Sequence, residues 1–237
     1  MLNYMANFMK KLKFKLTLSS HRKVLNKHFP HKDIEVWIKE ITEIYDEVLD
    51  ALPYIGGKDN KMTKYLTNSS VLIPIAKILK REGFTIRKIG HIIYEITEQI
   101  YNKIPKLFYT LSRKNMFKEK SFKSWKNQAE RSKMSEYPYD WKFDFIEGEG
   151  KEFDYGLDMY VCGLKKFWKS QNLEELVPYL CLTDYISFKL TKVKVKRTQT
   201  LANGGECCDY RYYKEGIEFK DGWPPESVEE WTGKFEN

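Results

Sequence analysis

The hydrophobic positions of the first half of the chain recur with the period of an α-helix. Apolar residues in segment 33–52 fall three or four positions apart, and Asp33 is placed to cap the start of that helix. A second helical pattern covers residues 61–81. Pro74 lies inside it, so we expect a kink or a break there, because proline removes a backbone donor and clashes with the preceding turn.

Gly83 predicts the C-terminal end of the second helical segment, and a further helical pattern follows it. Thr85 then predicts the cap of a third helix over residues 86–101. A shorter helix is expected to begin at Pro105, and segment 122–133 predicts one more. The first half of the chain is therefore predicted to be helical throughout.

The second half of the chain alternates between strand and helix patterns. Alternation with period two, typical of half-buried strands, predicts four strands, over residues 141–147, 152–161, 190–200 and 208–213. Helical spacing between the second and third of these predicts two helices, over residues 164–171 and 173–188. This order predicts an α+β fold, in which a helical region, 1–136, packs on a four-stranded antiparallel sheet in domain 137–237. We expect the two to form one compact unit, with the tail 222–237 packed loosely.

The charge of the chain is unevenly divided. The 237 residues carry a formal net charge of +8, made up of +13 over residues 1–139 and −5 over residues 140–237. The lysines of the first part are spread along amphipathic segments, which favours a solvated surface and no nucleic-acid partner. The longest apolar run outside the N-terminus covers only 71–76, so no membrane span is expected. Segment 1–18 is interrupted by lysines, which predicts a helix or arm that docks on the rest of the chain rather than a secretory signal. A role in binding a membrane surface or a partner is the less favoured alternative.

The chain has four cysteines, all in its last third, and no pair of them has Cys-x-x-Cys spacing. A disulfide framework would be denser and would span the chain. We therefore predict reduced thiols in a cytoplasmic protein. Assembly into a homo-oligomer is compatible with the sequence but is not indicated by it.

One of these cysteines lies just before a predicted helix, and another lies within one. Cys162 precedes a helix, whose dipole favours a thiolate, although a small buried hydrophobe is the simpler alternative. Cys181 and Asp184 lie one helical turn apart and share a face. If the shared face looks onto the sheet, a thiol and a carboxylate enter one pocket. The alternative is that Cys181 belongs to the core and Asp184 is exposed.

The end of the third predicted strand carries a cation on its apolar side. Arg197 shares the face of Val193 and Val195, where a charge is costly unless it is paired. It would suit a bidentate contact with a carboxylate, or else it reaches solvent at a frayed strand end. The same alternation puts Cys207 and Cys208 on opposite faces of the last strand.

Four segments together resemble a known family. They are Phe153–Asp158 followed by Cys162, Tyr179–Tyr185, Arg197–Gly205 and Cys208–Tyr210. The chain resembles the L-2-amino-thiazoline-4-carboxylic acid hydrolases over residues 140–212, and more diffusely in the helical part. The resemblance implies hydrolytic opening of a small cyclic C=N group to give a product of the carbamoyl-cysteine type.

The resemblance also suggests roles for particular residues. A thiolate of Cys181 or Cys162 would attack the electrophilic carbon, and Asp184 or Asp158 would move protons. The small carboxylate substrate would be bound by Arg197 with further contacts from four residues, namely Asp158, Thr198, Thr200 and Cys208. No cofactor is expected, but a metal-activated water, with zinc held by cysteine and aspartate, is a variant of this mechanism.

The alternative is a module without turnover, which binds a small ligand or a zinc ion for sensing or interaction. The closing run is distantly similar to sensor domains of the vinyl-reductase type, which hold zinc near a Gly-rich hairpin. Cys208 matches that pattern. Thr200 and Arg197 stand where a cysteine and an acid would be needed.

Overall fold

A computed structural model describes residues 2–148 and 152–215, with side chains from residue 9 onward. Nine α-helices and four strands lie in these ranges. The helices are α1 (Leu2–His28), α2 (Ile34–Asp50), α3 (Thr63–Ser70), α4 (Ile73–Arg81), α5 (Ile86–Tyr101), α6 (Lys106–Met116), α7 (Glu119–Met134), α8 (Gly163–Ser170) and α9 (Val177–Thr191). The strands are β1 (Lys142–Glu147), β2 (Tyr155–Val161), β3 (Lys194–Lys196) and β4 (Cys208–Tyr213). The predicted α+β fold is confirmed.

Several predicted helix boundaries follow from local chemistry. Asp33 caps α2 by accepting a hydrogen bond from the backbone N–H of Glu35, and Thr85 caps α5 in the same way. The predicted break near Pro74 is present, because α3 ends at Ser70 and the proline lies in the first turn of α4. Gly83 follows α4 with a φ of +81°, the left-handed conformation that favours glycine after a helix.

The four strands form one antiparallel sheet in the order β1-β2-β4-β3. Leu157 pairs with Tyr210, and Met159 pairs with Cys208, so these side chains share one face of the sheet. Asp158 pairs with Asp209, and both therefore point to the opposite face. We call these the inner face and the outer face, because the buried hydrophobic residues of the strands lie on the first.

Helices cover the inner face. A hydrophobic core joins residues from α1 to β4, including a stack of Tyr155 and Tyr212 with ring centroids 4.5 Å apart. Helix α5 packs closely along α9, and α7 along β1. The approach of α5 to α9 needs a glycine, since a Cβ atom at Gly90 would lie 2.2 Å from Cδ1 of Tyr179. Segment 1–18 begins a helix that docks as expected, with Phe14 stacked on Tyr45 at 3.8 Å.

The third strand differs from its prediction. The alternating segment 190–200 was expected to be a strand throughout, but α9 runs on to Thr191 and only 194–196 pair in the sheet. Lys192, with a φ of 56°, ends the helix. After Lys196 the backbone leaves the sheet because Asp209 takes up its donors, as described below. The predicted tail 222–237 lies outside the described residues.

Candidate active site

Arg197 is the centre of a polar cluster between α9 and the inner face of the sheet. Its side chain is only 1% exposed. Nη1 donates to Oδ2 of Asp184 at 3.0 Å and to the hydroxyl of Tyr210 at 2.7 Å, and Nη2 donates to the backbone oxygen of Cys181 at 3.1 Å. The guanidinium also lies against the rings of Tyr185 and Tyr210. The buried cation is therefore paired, as its burial requires.

Asp184 is the side of this ion pair that reaches solvent. Its side chain is 34% exposed, in contrast to Arg197. The cluster thus buries its positive charge and presents its carboxylate to the exterior. A ligand approaching from solvent would meet Asp184 before it met the arginine.

Tyr210 is a member of the cluster that the sequence analysis did not select as a site residue. Its hydroxyl accepts from Arg197 and donates to Oδ2 of Asp184 at 2.8 Å, so it bridges the two charges. Burial raises the pKa of Tyr210 well above its ordinary value, against the lowering effect of the Arg197 charge. Alternation along β4 places Tyr210 on the face of Cys208, which was the available signal.

Three of the four cysteines border this cluster. Cys181, half-buried on α9, lies within electrostatic reach of Arg197, Asp184, Cys162 and Cys208. Burial raises the pKa of Cys181 well above its ordinary value, and the charge of Arg197 opposes this only in part. Burial likewise raises the pKa of Cys208 to about 12. These thiols are therefore neutral at pH 7 and need a base before they can act as nucleophiles.

Cys162 stands at the N-terminus of α8, as predicted. Its sulfur accepts a hydrogen bond from the backbone N–H of Lys165 at 3.4 Å. The backbone N–H groups of Leu164 and Lys165 lower its pKa, but burial has the larger effect, so the net shift is upward. The helix N-terminus thus favours the thiolate of Cys162, as expected, but burial disfavours the thiolate more strongly.

The charge of Asp184 acts on tyrosines of three elements. Burial of the hydroxyl first, and the charge of Asp184 second, raise the pKa of Tyr65 to about 12, although the residue as a whole is 41% exposed, and the same two causes raise the pKa of Tyr101. The pKa of Tyr212 is raised well above its ordinary value, mainly by burial. These residues come from α3, α5 and β4, so phenolic side chains from three elements lie within electrostatic reach of Asp184.

The loop after β3 is held by Asp209. Its Oδ1 accepts from the backbone N–H groups of Thr198 at 2.8 Å and Gln199 at 2.9 Å, and Oδ2 accepts from the Thr198 hydroxyl at 2.5 Å. Thr200 is buried, and its hydroxyl accepts from the side chain of Asn203 at 3.0 Å. Thr198 and Thr200 therefore stabilise the loop that follows Arg197.

The structure does not bring Asp158 to the cluster. It lies on the outer face, in a two-bond ion pair with Arg211 at 2.5 and 3.2 Å. Its partner occupies the next outer-face position of β4 after Asp209. Cys207 also belongs to this side, since the charges of Asp158 and Asp209 act on it. Of the residues predicted to form the site, both Asp158 and Thr198, whose hydroxyl bonds to outer-face Asp209, are therefore directed to the opposite side of the sheet from the cluster.

The polar groups needed for a metal centre or a Cys–His pair do not come together in the ranges that the structure describes. There, no group of three or more His, Cys, Asp or Glu side chains is arranged to hold a metal ion. The two histidines of α5 and the end of α1, His91 and His28, share Glu95 instead, at 2.9 and 3.2 Å. A cavity of about 310 Å³ lies elsewhere, between α4 and the end of α8, and is lined by residues such as Lys80 and Asn172.

Comparison with known proteins adds one finding. A model of the family described as L-2-amino-thiazoline-4-carboxylic acid hydrolase matches residues 64–212, well over half of the chain. The chain belongs to this family. The match contains every residue of the cluster around Arg197, and the three cysteines that border it. No curated protein and no solved structure matches the chain.

Proposed function

We propose that this L-2-amino-thiazoline-4-carboxylic acid hydrolase family member is a hydrolase that opens a small ring containing a C=N group, with a cysteine of the Arg197 cluster as nucleophile. The observation that carries the proposal is the pairing of half-buried Cys181 with half-exposed Asp184 on one turn of α9, against the buried Arg197. A thiol, a base and a fixed positive charge are the groups that nucleophilic opening of such a ring needs. A cytoplasmic location, where thiols stay reduced, fits this chemistry.

The reaction runs in two stages. Asp184 accepts the proton of the Cys181 thiol as the sulfur bonds to the carbon of the C=N group, and it passes this proton to the ring nitrogen. The ring opens when the bond between that carbon and the ring sulfur breaks and a C=N bond re-forms, and the departing sulfur takes back a proton from the nitrogen through Asp184. Water then adds to the same carbon, and Cys181 leaves as a thiol, which gives a carbamoyl group on the product nitrogen.

Asp184 is assigned the role of general base because the pKa of the Cys181 thiol is raised. A neutral Cys181 cannot attack on its own at pH 7, and Asp184 is the carboxylate that lies one turn away. Arg197 and Tyr210 both contact Oδ2 of Asp184, so the carboxylate is held in place beside Cys181 on α9. Because Arg197 already binds protein groups, we assign it to hold Asp184 and Tyr210, and a substrate carboxylate would contact it only in competition with Asp184.

Turnover of 2-amino-thiazoline-4-carboxylate by the purified chain tests the proposal. Mass spectrometry would follow the ring-opened product, which is heavier than the substrate by one water. We expect Cys181→Ser and Asp184→Asn to lower kcat by at least about a hundredfold, as loss of a nucleophile or general base does. Cys207→Ser, on the outer side of the sheet, is the matched control and should retain activity.

Absence of product from the wild-type chain, or full activity in both cluster variants, would refute the proposal. If Cys162→Ser lost activity to the extent expected for Cys181→Ser, and Cys181→Ser kept its activity, Cys162 would be the nucleophile. Metal analysis of the same sample tests the zinc variant, which predicts about one zinc per chain.

The second candidate is a module that binds a small ligand or zinc without turnover. The raised pKa of all three cluster thiols favours it, because neutral thiols are poor nucleophiles. It predicts that the carboxylate substrate binds and stabilises the fold, that no product forms, and that Cys181→Ser leaves the affinity unchanged.

A further inference from the structure

Helix α6 is exposed along almost its whole length. From residue 102 to 115, only Tyr109 is buried and only Arg113 is half-buried. Leu107 and Phe108 are 65% and 62% exposed, Leu111 continues the same side of the helix, and Ile104 is exposed in the turn just before the helix begins. The described part of the chain therefore leaves an apolar helix side uncovered.

A second apolar stripe, on α1, leads to the same place. Met9, Leu12 and Leu16 are exposed and repeat at helical spacing, and the stripe continues to Ser19. The Ser19 hydroxyl accepts a hydrogen bond from Lys103 Nζ at 2.6 Å, just before α6 begins.

The course of α1 brings the end of its apolar stripe near the start of α6. It runs antiparallel to α5, as shown by the successive contacts Lys27–Glu95, Lys23–Gln99 and Lys103–Ser19. The part of α1 that precedes Ser19 therefore extends beyond the end of α5, toward the start of α6. We call Met9, Leu12 and Leu16 together with the exposed residues of 104–111 the α1–α6 surface.

The charge along the two segments that form this surface is positive, and one of their lysines, Lys11, is paired with the acidic Asp46 of α2. Residues 102–118 contain five basic residues and no acidic one, and residues 9–23 contain six basic residues and no acidic one. Lys13, Lys15, Lys106 and Lys114 are exposed beside the apolar positions. Apolar side chains flanked by lysines on exposed helices are typical of segments that lie in the interface of an anionic bilayer.

We propose that the α1–α6 surface docks on the surface of a bilayer that contains anionic lipid. The apolar residues enter the boundary of the acyl chains while the lysines meet anionic headgroups. Contact between two copies of the chain is disfavoured, because a two-fold interface would set each basic segment against its equivalent. Within the described residues no helix is long and apolar enough to cross a membrane, so the docking is peripheral.

Cosedimentation with vesicles tests this proposal independently of any activity. The purified chain should bind vesicles made of equal parts phosphatidylglycerol and phosphatidylcholine, bind pure phosphatidylcholine at least about tenfold more weakly, and release as salt is raised. Leu107→Ser with Phe108→Ser should lower the affinity by at least about tenfold, because two large apolar side chains no longer enter the bilayer. Lys106→Glu with Lys114→Glu should lower it by a similar factor.

Matched controls separate docking from general effects. Val36→Ser changes an apolar residue of α2 that is 61% exposed, and Lys39→Glu with Lys189→Glu makes the same charge change at exposed sites elsewhere. Both controls should bind like the wild type to within about threefold. All substituted residues are exposed, and an unchanged melting temperature would confirm that the variants fold.

Three results would overturn the proposal. The first is no binding of the wild type to anionic vesicles at low salt. The second is loss of binding in the controls equal to that in the α6 variants. The third is a wild-type dimer in solution that Leu107→Ser with Phe108→Ser dissociates, which would assign the surface to a second copy of the chain.

Discussion

The burial of Arg197 and the exposure of Asp184 predict that the two halves of their ion pair are not equally costly to remove. Asp184→Asn leaves a guanidinium that is 1% exposed without its anion, although Tyr210 and the Cys181 carbonyl still accept from it. Removing one partner of a buried pair costs about 3 to 5 kcal/mol. We expect a loss near the lower end, about 3 kcal/mol, because those two acceptors remain.

Arg197→Met should cost less. The methionine replaces much of the apolar stem, and the carboxylate left behind is 34% exposed and can be hydrated. Tyr210 continues to donate to it. We expect a loss of about 1 to 2 kcal/mol in the free energy of unfolding, from the lost hydrogen bonds alone.

The double variant, Asp184→Asn with Arg197→Met, is the sharpest part of this prediction. It removes the orphan cation that makes Asp184→Asn costly, so it should be more stable than Asp184→Asn alone. Urea unfolding followed by circular dichroism gives the free energies, provided that the slopes agree. Asp158→Asn, in the partly exposed outer-face pair with Arg211, is the control and should cost about 1 kcal/mol.

Two results would refute this reasoning. If Arg197→Met proved the more destabilising of the two, the exposed carboxylate would not be the tolerant side of the pair. If the losses of the single variants simply added in the double variant, the two residues would not be coupled in solution.

Three further predictions concern acid stability, helix packing and the loop beside the site. Burial lowers the pKa of three histidines below their ordinary value of 6.5, and these are His21, His28 and His91. The unfolded chain therefore binds more protons than the folded one below pH 6.5, so the stability that the neutral histidines contribute is complete above pH 6.5 and is lost as the pH falls below it. The melting temperature should drop between pH 7 and pH 5, and replacing all three histidines by Gln should flatten this change. Gly90→Ala should cost more than about 3 kcal/mol in urea unfolding, because its Cβ would meet the Tyr179 ring, whereas Gly83→Ala, with no atom within 4 Å, should cost about 1 kcal/mol from its φ of +81°. Asp209→Ala should free the loop after Arg197 and lower kcat for the proposed substrate by about tenfold or more, with a smaller loss from Asp209→Asn, which keeps one acceptor for the backbone donors; equal kcat in wild type and Asp209→Ala would show that the loop does not position the site.

The helices and the order of helices and strands along the chain could be predicted because they depend on local signals. Caps such as Asp33 and Thr85, and the glycine after α4, act within a few residues of chain. Segment 190–200 could not be read correctly in the same way. Its alternation is real, but Asp209, from the next strand, binds the backbone donors of Thr198 and Gln199 and removes them from the sheet.

The candidate site shows the same limit. Cys181, Asp184 and Arg197 could be selected from spacing and from the cost of a cation on an apolar face, and they do meet. Asp158 was grouped with them through the family pattern, but the register of β2 against β4 turns it to the outer face. Tyr210 was overlooked because a tyrosine in a strand is ordinary, and only its contact with both charges distinguishes it.

Under the proposed function, the orientation of the substrate follows from which charge of the cluster is exposed. A ring with a C=N group and an amino substituent carries its positive charge at that end and its carboxylate at the other. The accessible charge of the site is the anion Asp184, and the cation lies beneath it with its bonds directed to protein groups. The amidine end should therefore face Asp184 and Cys181, which also places the electrophilic carbon beside the thiol. A substrate bound in reverse would set its carboxylate against that of Asp184, and repulsion between like charges at such a distance would oppose binding.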